Sequence, residues 1–363
     1  MAEGRRKARR KITPQRVSDR LSKVETEMES ILADVAEGAT TAEQLDPVQR
    51  HQLEKVIGGF TERMQQRLES IEPTSDEQIV ASAMELLSPT QIIRILGNLR
   101  MRFRSKVVDD FGADPKVEEQ IAPLIRFLFE TYFRVESEGV GNIPERGRCL
   151  LVANRSGFLP WDSLMIKEAV EREHPSRRRV RWLVEDFVYN QPFLGPVVAQ
   201  LGGVRACQEH AYRLLDLEQL VCVFPEGIIG ATKLYKDRYR LGRFGRGGYI
   251  KLVLRTDTPI IPVAVIGAEE SHPVIARFGA GSKKVLGGSY FPVTPTFPAL
   301  GPLGLIPVPT KWLVVFGEPI HFGTDAEKAE DEVLVRRLNE QIRTNIQAML
   351  TEALRRRKSV LFG

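Results

Sequence analysis

The chain has 363 residues, enough for one large domain with an appendage or for two domains. Hydrophobic residues make up 42% and charged residues 27%, a composition typical of a folded protein. The formal net charge of +5 is mildly basic and suits an anionic surface or anionic substrates. The three cysteines, Cys149, Cys207 and Cys222, have irregular spacing, which excludes a disulfide framework or a cysteine metal site.

A basic segment opens the chain, with six Lys or Arg residues between positions 5 and 11. No apolar stretch follows it, so it does not have the pattern of a secretory signal peptide. No apolar run elsewhere is long enough to span a bilayer. We therefore expect a disordered basic tail over residues 1–14, and a cytoplasmic protein that is soluble or binds membranes peripherally.

Residues 15–135 read as a helical N-terminal region. Apolar residues recur at spacings of three and four over 17–35 and 53–71, which predicts two amphipathic helices. These helices can pair with each other, form a dimeric coiled coil, or pack on their own domain. Asp114 and Pro115 then predict the start of another helix. Its large apolar side chains over 121–133 fit either a lipid contact or a protein core.

Strands and helices alternate from residue 148 onwards. Short apolar runs predict five strands: Cys149–Ala153, Val180–Val184, Leu220–Phe224, Ile260–Ile266 and Trp312–Phe316. Helices are predicted at 163–171, 208–217 and 246–255, and a long C-terminal helix at 326–357. Continuous apolar strands separated by helices indicate an α/β domain, over residues 136–363, whose sheet is covered on both faces.

One apolar segment, residues 291–309, does not fit this alternation. Its prolines forbid a regular helix or a central strand. A long apolar loop is difficult to bury, so of a buried loop and a membrane-dipping loop we favour the second.

Four segments follow one another in an order that is characteristic of one family. They are Asn154–Asp162, Leu201–Ala206, Val223–Gly227 and Thr258–Gly267. Together they resemble the glycerolipid acyltransferases of the lysophosphatidate and glycerol-phosphate type, over roughly residues 140–325. The resemblance implies a central mixed, mostly parallel sheet flanked by helices. It also implies acyl transfer from acyl-CoA or acyl carrier protein to a glycerolipid hydroxyl at the membrane surface, with no cofactor.

The resemblance also implies the site residues. In the family, an Asn-His pair is followed by a short loop and an Asp; the His takes the proton of the acceptor hydroxyl and the Asp orients the His. The catalytic positions here are Asp162 and, at the His position, Arg155. The expected substrate-binding residues are Asn154, Ser156, Gly157, Phe224, Pro225, Glu226, Gly227, Lys233, Arg238 and Arg243.

Two positions depart from the family pattern. A guanidinium stays protonated at ordinary pH, so Arg155 cannot act as the base; it can pair with Asp162, or hold an anionic headgroup or a fatty carboxylate. The family follows Pro-Glu-Gly with Thr-Arg-Ser, whereas this chain has residues 228–230 as Ile-Ile-Gly. Either Lys233, Lys236 and Arg238 replace that cation, or the acceptor lacks phosphate. Neither His210 nor His272 has the position of the family His, and of the two only His272 is kept as an alternative candidate for the base.

Two hypotheses about function therefore stay open, an active acyltransferase and an inactive member of the fold that binds lipid or acyl-CoA or scaffolds a partner. The expected partners are a lipid acceptor, an acyl thioester and a peripheral membrane surface, with self-association possible through the N-terminal helices. The basic clusters lack interleaved aromatic residues, so we expect no nucleic-acid binding.

Overall fold

The computed structural model describes residues 108–157, 159–190, 194–278, 291–294, 307–323 and 327–360. The predicted basic tail and the predicted helices at 17–35 and 53–71 lie outside the described residues. So does most of the proline-rich segment, including all of residues 295–306. The predicted domain boundaries at 14 and 135 stay predictions.

The described chain contains nine strands. They are β1 (Glu136–Glu138), β2 (Cys149–Ala153), β3 (Val180–Val184), β4 (Gly203–Arg205), β5 (Leu220–Val223), β6 (Ile260–Ile266), β7 (Ala276–Phe278), β8 (Phe291–Val293) and β9 (Leu313–Phe316). Three of the five predicted strands, β2, β3 and β6, have the predicted bounds. Strand β5 ends one residue early because Phe224 leads into a turn. Strand β9 begins one residue late because the Trp312 amide donates to the Phe133 carbonyl in a preceding loop.

Seven of these strands form one sheet in the order β1-β9-β6-β2-β5-β3-β4. The five strands from β6 to β4 are parallel to their neighbours, whereas β9 runs antiparallel to β6. This confirms the predicted mixed, mostly parallel sheet. Every residue of β2 and β6 is buried, which explains why both read as continuous apolar runs. Strands β7 and β8 form a separate antiparallel pair.

Nine α-helices accompany these strands in the described residues. They are α1 (Pro115–Phe127), α2 (Trp161–Glu173), α3 (Asp186–Tyr189), α4 (Leu194–Gln200), α5 (Gln208–Asp216), α6 (Ile228–Ala231), α7 (Gly248–Thr256), α8 (Ala268–Ser271) and α9 (Glu332–Arg356). Helix α9 begins six residues later than predicted, because Asp331 accepts from the amides of Val333 and Leu334 and caps the helix there.

The apolar side chains form a layer on each face of the sheet. Helices α1 and α2 pack on one face, and α5, α7 and α9 pack on the other. Helix α1 continues as a π-helical turn over Leu128–Tyr132. Large apolar side chains of this turn and of the next residue are buried in the core, including Phe129, Tyr132 and Phe133. Of the two interpretations of this face, the protein core is therefore the correct one.

The parallel strands place three loops together. Strands β2, β3 and β5 point in one direction, so the residues after Ala153, Val184 and Val223 meet at one edge of the sheet. Ligand sites of α/β proteins lie at this carboxyl edge. In the part of the chain that the structure describes, none of the helices has the length and apolar character needed to cross a membrane.

Candidate functional site

Asn154 fixes the start of the loop that follows β2. Its side-chain amide donates to the Val265 carbonyl at 3.0 Å, and the Val265 amide donates to its Oδ1 at 2.7 Å. This double contact continues the pairing of β2 with β6 beyond the end of β2. Asn154 is completely buried, so its role in the described structure is to position the loop.

Arg155 and Asp162 form a buried ion pair. The Arg155 Nη1 lies 2.5 Å from Asp162 Oδ1, and both side chains are almost fully buried. The same carboxylate accepts from the backbone amides of Ser156, at 3.0 Å, and Ser163, at 2.8 Å. The Arg155 guanidinium also lies over the Phe224 ring, 5.2 Å from its centroid. Of the roles considered for Arg155, the structure therefore contains the pair with Asp162.

His272 lies beside this loop, whereas His210 does not. Gly157 has a φ of +70°, and a Cβ placed on it would be 3.7 Å from both Cβ and Nδ1 of the buried His272. His210 is at the start of α5, where its Nδ1 is 3.2 Å from the Arg205 carbonyl oxygen and its ring packs against Phe111. Only His272 of these two is close to the loop.

The Pro-Glu-Gly turn is bonded to the backbone at position 155. Glu226 is buried, and its Oε2 accepts from the Arg155 amide at 3.2 Å. Its Oε1 accepts from the Gly242 amide at 2.7 Å and lies 3.2 Å from Lys233 Nζ. The carboxylate is therefore occupied in joining three segments of the chain.

Lys233 belongs to a buried cluster of charged side chains next to this turn. Its Nζ lies 3.1 Å from Glu269 Oε1, while Glu269 Oε2 accepts from the Tyr239 amide at 3.0 Å. Arg238 stacks on the Tyr235 ring at 4.3 Å and approaches Glu270. The protein itself thus compensates the charge of Lys233, which the sequence had suggested for substrate binding.

Glu269 gives this cluster a pH dependence. Burial raises the pKa of Glu269 from 4.5 to about 7 and outweighs the lowering effect of Lys233. Between these values the folded protein binds a proton that the unfolded chain releases, so this contribution to stability is complete below pH 4.5 and is lost as pH rises to 7. We expect Glu269→Gln, which cannot ionise, to gain stability relative to the wild type over that range.

Urea unfolding midpoints measured between about pH 5 and about pH 8 check this. The exposed Glu209→Gln serves as the control and should follow the wild type at every pH. A constant difference between Glu269→Gln and the wild type across the range would contradict the expectation.

A cavity of about 410 Å³ opens beside Arg155 at the carboxyl edge of the sheet. Its wall is mainly apolar and includes Pro160, Trp182, Val184, Val223, Phe224 and Leu252. The charged side chains on the wall are Arg155, Glu185 and Arg246. The described lining does not include Lys233, Arg238 or Arg243, and Arg243 is exposed. Two predicted binding residues, Phe224 and Pro225, do line it.

Glu185 is a lining residue that the sequence analysis did not select. It directly follows β3, at the same edge as Asn154 and Phe224, and its position after a predicted strand was the available signal. Burial raises the pKa of Glu185, and Asp162 raises it further, while Arg155 lowers it. Gly227 has a φ of +57°, and a Cβ there would lie 2.9 Å from Glu185 Oε1. The turn therefore needs glycine beside this carboxyl group.

The chain is similar to several known proteins. Residues 134–266 match the Acyltransferase family model. An uncharacterized protein of Mycobacterium tuberculosis is 40% identical over 324 residues, which cover 88% of each chain. An uncharacterized protein of Mycobacterium leprae is 43% identical over 276 residues, or 75% of each chain. A solved structure, the 1-acyl-sn-glycerophosphate acyltransferase of Thermotoga maritima, is 17% identical with a TM-score of 0.42, covering 78% of this chain and 96% of that one.

Proposed function

We propose that this chain, whose residues 134–266 match the Acyltransferase family model, transfers an acyl group from an acyl thioester to a glycerolipid hydroxyl. The proposed donor is acyl-CoA or acyl carrier protein. The observation that carries the proposal is the apolar cavity that opens beside Arg155 and Glu185 at the carboxyl edge of the parallel strands. Its volume lies within the usual range for small-molecule sites.

The wall of this cavity suits the two halves of an acyl thioester. Its apolar side chains favour burial of an acyl chain, since each methylene removed from water contributes about 0.8 kcal/mol. Arg155 is a cation held in place by Asp162, so it can stabilise negative charge that develops on the thioester oxygen. Arg246 adds a second cation for a phosphate group of donor or acceptor.

We further propose that the reaction takes place at a membrane surface, where a glycerolipid acceptor is found. The basic residues of the chain support this, because each Lys or Arg near anionic lipid contributes about 1 kcal/mol of attraction. Flotation with liposomes tests it: binding that requires anionic lipid and weakens with added salt is the expected result. Equal recovery with neutral liposomes would contradict an electrostatic association.

A second candidate function is lipid or acyl-CoA binding without turnover. The buried pair of Arg155 with Asp162 favours it, because the sequence resemblance implies a catalytic dyad at these two positions and a guanidinium cannot accept a proton. The two functions share one cavity, so they differ in turnover and not in the location of the ligand.

We expect the purified full-length chain to transfer labelled acyl groups from acyl-CoA or acyl carrier protein to at least one acceptor among lysophosphatidate, glycerol phosphate and monoacylglycerol. Ala206 is exposed and lines the cavity, so Ala206→Trp should obstruct it without altering the core, and should lower the rate at least about tenfold. Ala348→Trp, at an exposed position on α9, is the matched control and should keep the wild-type rate.

The outcomes separate the two candidates. Wild-type protein that transfers nothing, but binds acyl-CoA more tightly than Ala206→Trp does, would support the binding function and contradict the enzyme. Equal transfer by Ala206→Trp and Ala348→Trp would show that the reaction does not use this cavity.

A further inference from the structure

We propose that Glu185 accepts the proton of the attacking hydroxyl and is thus the general base of this chain, in place of the imidazole that position 155 lacks. This inference rests on the proposed function. It assigns a catalytic role to a residue outside the segments that carry the family resemblance, since Glu185 lies between Asn154–Asp162 and Leu201–Ala206.

Glu185 lies on the wall of the cavity together with Arg155, and it is partly buried there. Its Oε1 is buried and has no hydrogen-bond partner among the described residues. Rotation about the last side-chain torsion exchanges the two carboxyl oxygens at low cost, so either one can face the cavity.

The other carboxylates around the turn are already occupied. Asp162 accepts from Arg155 and from two backbone amides. Glu226 accepts from two backbone amides and pairs with Lys233, and Glu269 pairs with the same lysine. A base needs a lone pair that can reach the substrate, and of these four acidic residues only Glu185 both lines the cavity and has an oxygen without a partner.

The electrostatic surroundings make Glu185 a stronger base than an exposed carboxylate. Burial raises the pKa of Glu185, Asp162 raises it further, and Arg155 lowers it. A carboxylate with a raised pKa is a stronger base than an exposed one. The other titratable or charged residues on the cavity wall are Cys207, Arg246 and Tyr249. The exposed pair of Asp186 with Arg205 is adjacent in sequence to the lining residues Glu185 and Ala206.

The acceptor hydroxyl gives its proton to the Glu185 carboxylate while its oxygen forms a bond to the thioester carbonyl carbon. The negative charge that develops on the carbonyl oxygen faces the Arg155 guanidinium. The carbon–sulfur bond then breaks, and the protonated Glu185 returns its proton to the leaving thiolate. The products are an ester and a free thiol, and Glu185 is again ionised.

Glu185→Gln keeps the shape of the side chain and removes the base. We expect kcat for acyl transfer to fall at least about 100-fold, with little change in KM for acyl-CoA. The matched control is Glu168→Gln on α2, another half-buried residue whose pKa burial raises but which does not line this cavity; it should keep the wild-type rate. Formate added to Glu185→Ala should restore part of the lost rate, which a structural role would not allow.

The pH profile is a second test that needs no variant. The wild-type rate should rise with pH as Glu185 ionises, and this rise should be absent from the residual activity of Glu185→Gln. A rate of acyl transfer by Glu185→Gln within about threefold of the wild-type rate would overturn the inference and leave the proposed function intact. Loss of activity in His272→Gln but not in Glu185→Gln would assign the base to His272. A wild-type chain without any transfer would overturn both the inference and the proposed function.

Discussion

Asp162→Asn is expected to lower the free energy of unfolding by about 3–5 kcal/mol. The change leaves the Arg155 guanidinium buried without its carboxylate, and removal of one partner of a buried ion pair is far more costly than removal of an exposed pair. The Asp162 carboxylate also accepts from the Ser156 and Ser163 amides, and a neutral side-chain amide can replace it only in part. Urea unfolding at neutral pH measures the effect.

The exposed pair of Asp186 with Arg205 offers a matched control. Asp186→Asn also breaks an Asp–Arg contact, here one of 2.6 Å between half-exposed side chains, and it should leave the unfolding midpoint almost unchanged. The double variant Arg155→Met with Asp162→Asn should unfold at higher urea than Asp162→Asn alone, because no buried charge is left without a partner. Equal midpoints for Asp162→Asn and Asp186→Asn would contradict the assignment of Asp162 as a buried counter-ion.

Only some of the strands that carry this site could be predicted from the sequence. Strands β2 and β6 were predicted to the residue because strands buried on both faces have continuous apolar sequences, and β3 was predicted to the residue although it contains Arg181. Strands β1 and β4 have three residues each and are too short to give a pattern. The antiparallel direction of β9 follows from its connections in space and leaves no local signal in the sequence.

The roles of charged residues were harder to predict, because they depend on partners that are distant in the sequence. Lys233 was expected to bind substrate, yet its partner Glu269 is 36 positions away and the two meet only in the folded protein. Glu185 was not predicted as a site residue, and the reason is the same. Its importance depends on the cavity, on Gly227 and on the absence of a hydrogen bond to Oε1 among the described residues.

The two segments that the sequence analysis predicted to depart from the family pattern lie in contact. Gly230 is the last residue of the second of them, residues 228–230. A Cβ placed on Gly230 would lie 2.8 Å from Arg155 Cβ, 2.8 Å from Glu226 Cβ and 3.1 Å from the Arg155 carbonyl oxygen. Real Cβ atoms do not approach other atoms this closely, so the backbone at 155 and the helix α6 can pack as they do only because position 230 is glycine.

We therefore expect Gly230→Ala to lower the free energy of unfolding by about 1–3 kcal/mol, the usual cost of overpacking a tight core. Alanine favours a helix by about 0.5–1 kcal/mol over glycine, so a net loss at this helical position would have to come from the close contact. Because the clash is with Arg155, the variant should also displace the guanidinium from the cavity wall and slow acyl transfer.

Gly141→Ala is the matched control, since a Cβ at Gly141 meets no atom within 4 Å and its backbone conformation is ordinary for alanine. Its midpoint in urea should equal or slightly exceed that of the wild type, because alanine restricts the unfolded chain. If Gly230→Ala were as stable as Gly141→Ala, the segments carrying Arg155 and Gly230 would have to lie farther apart than they do in the structure. The packing of the segment at Arg155 would then not depend on glycine at position 230.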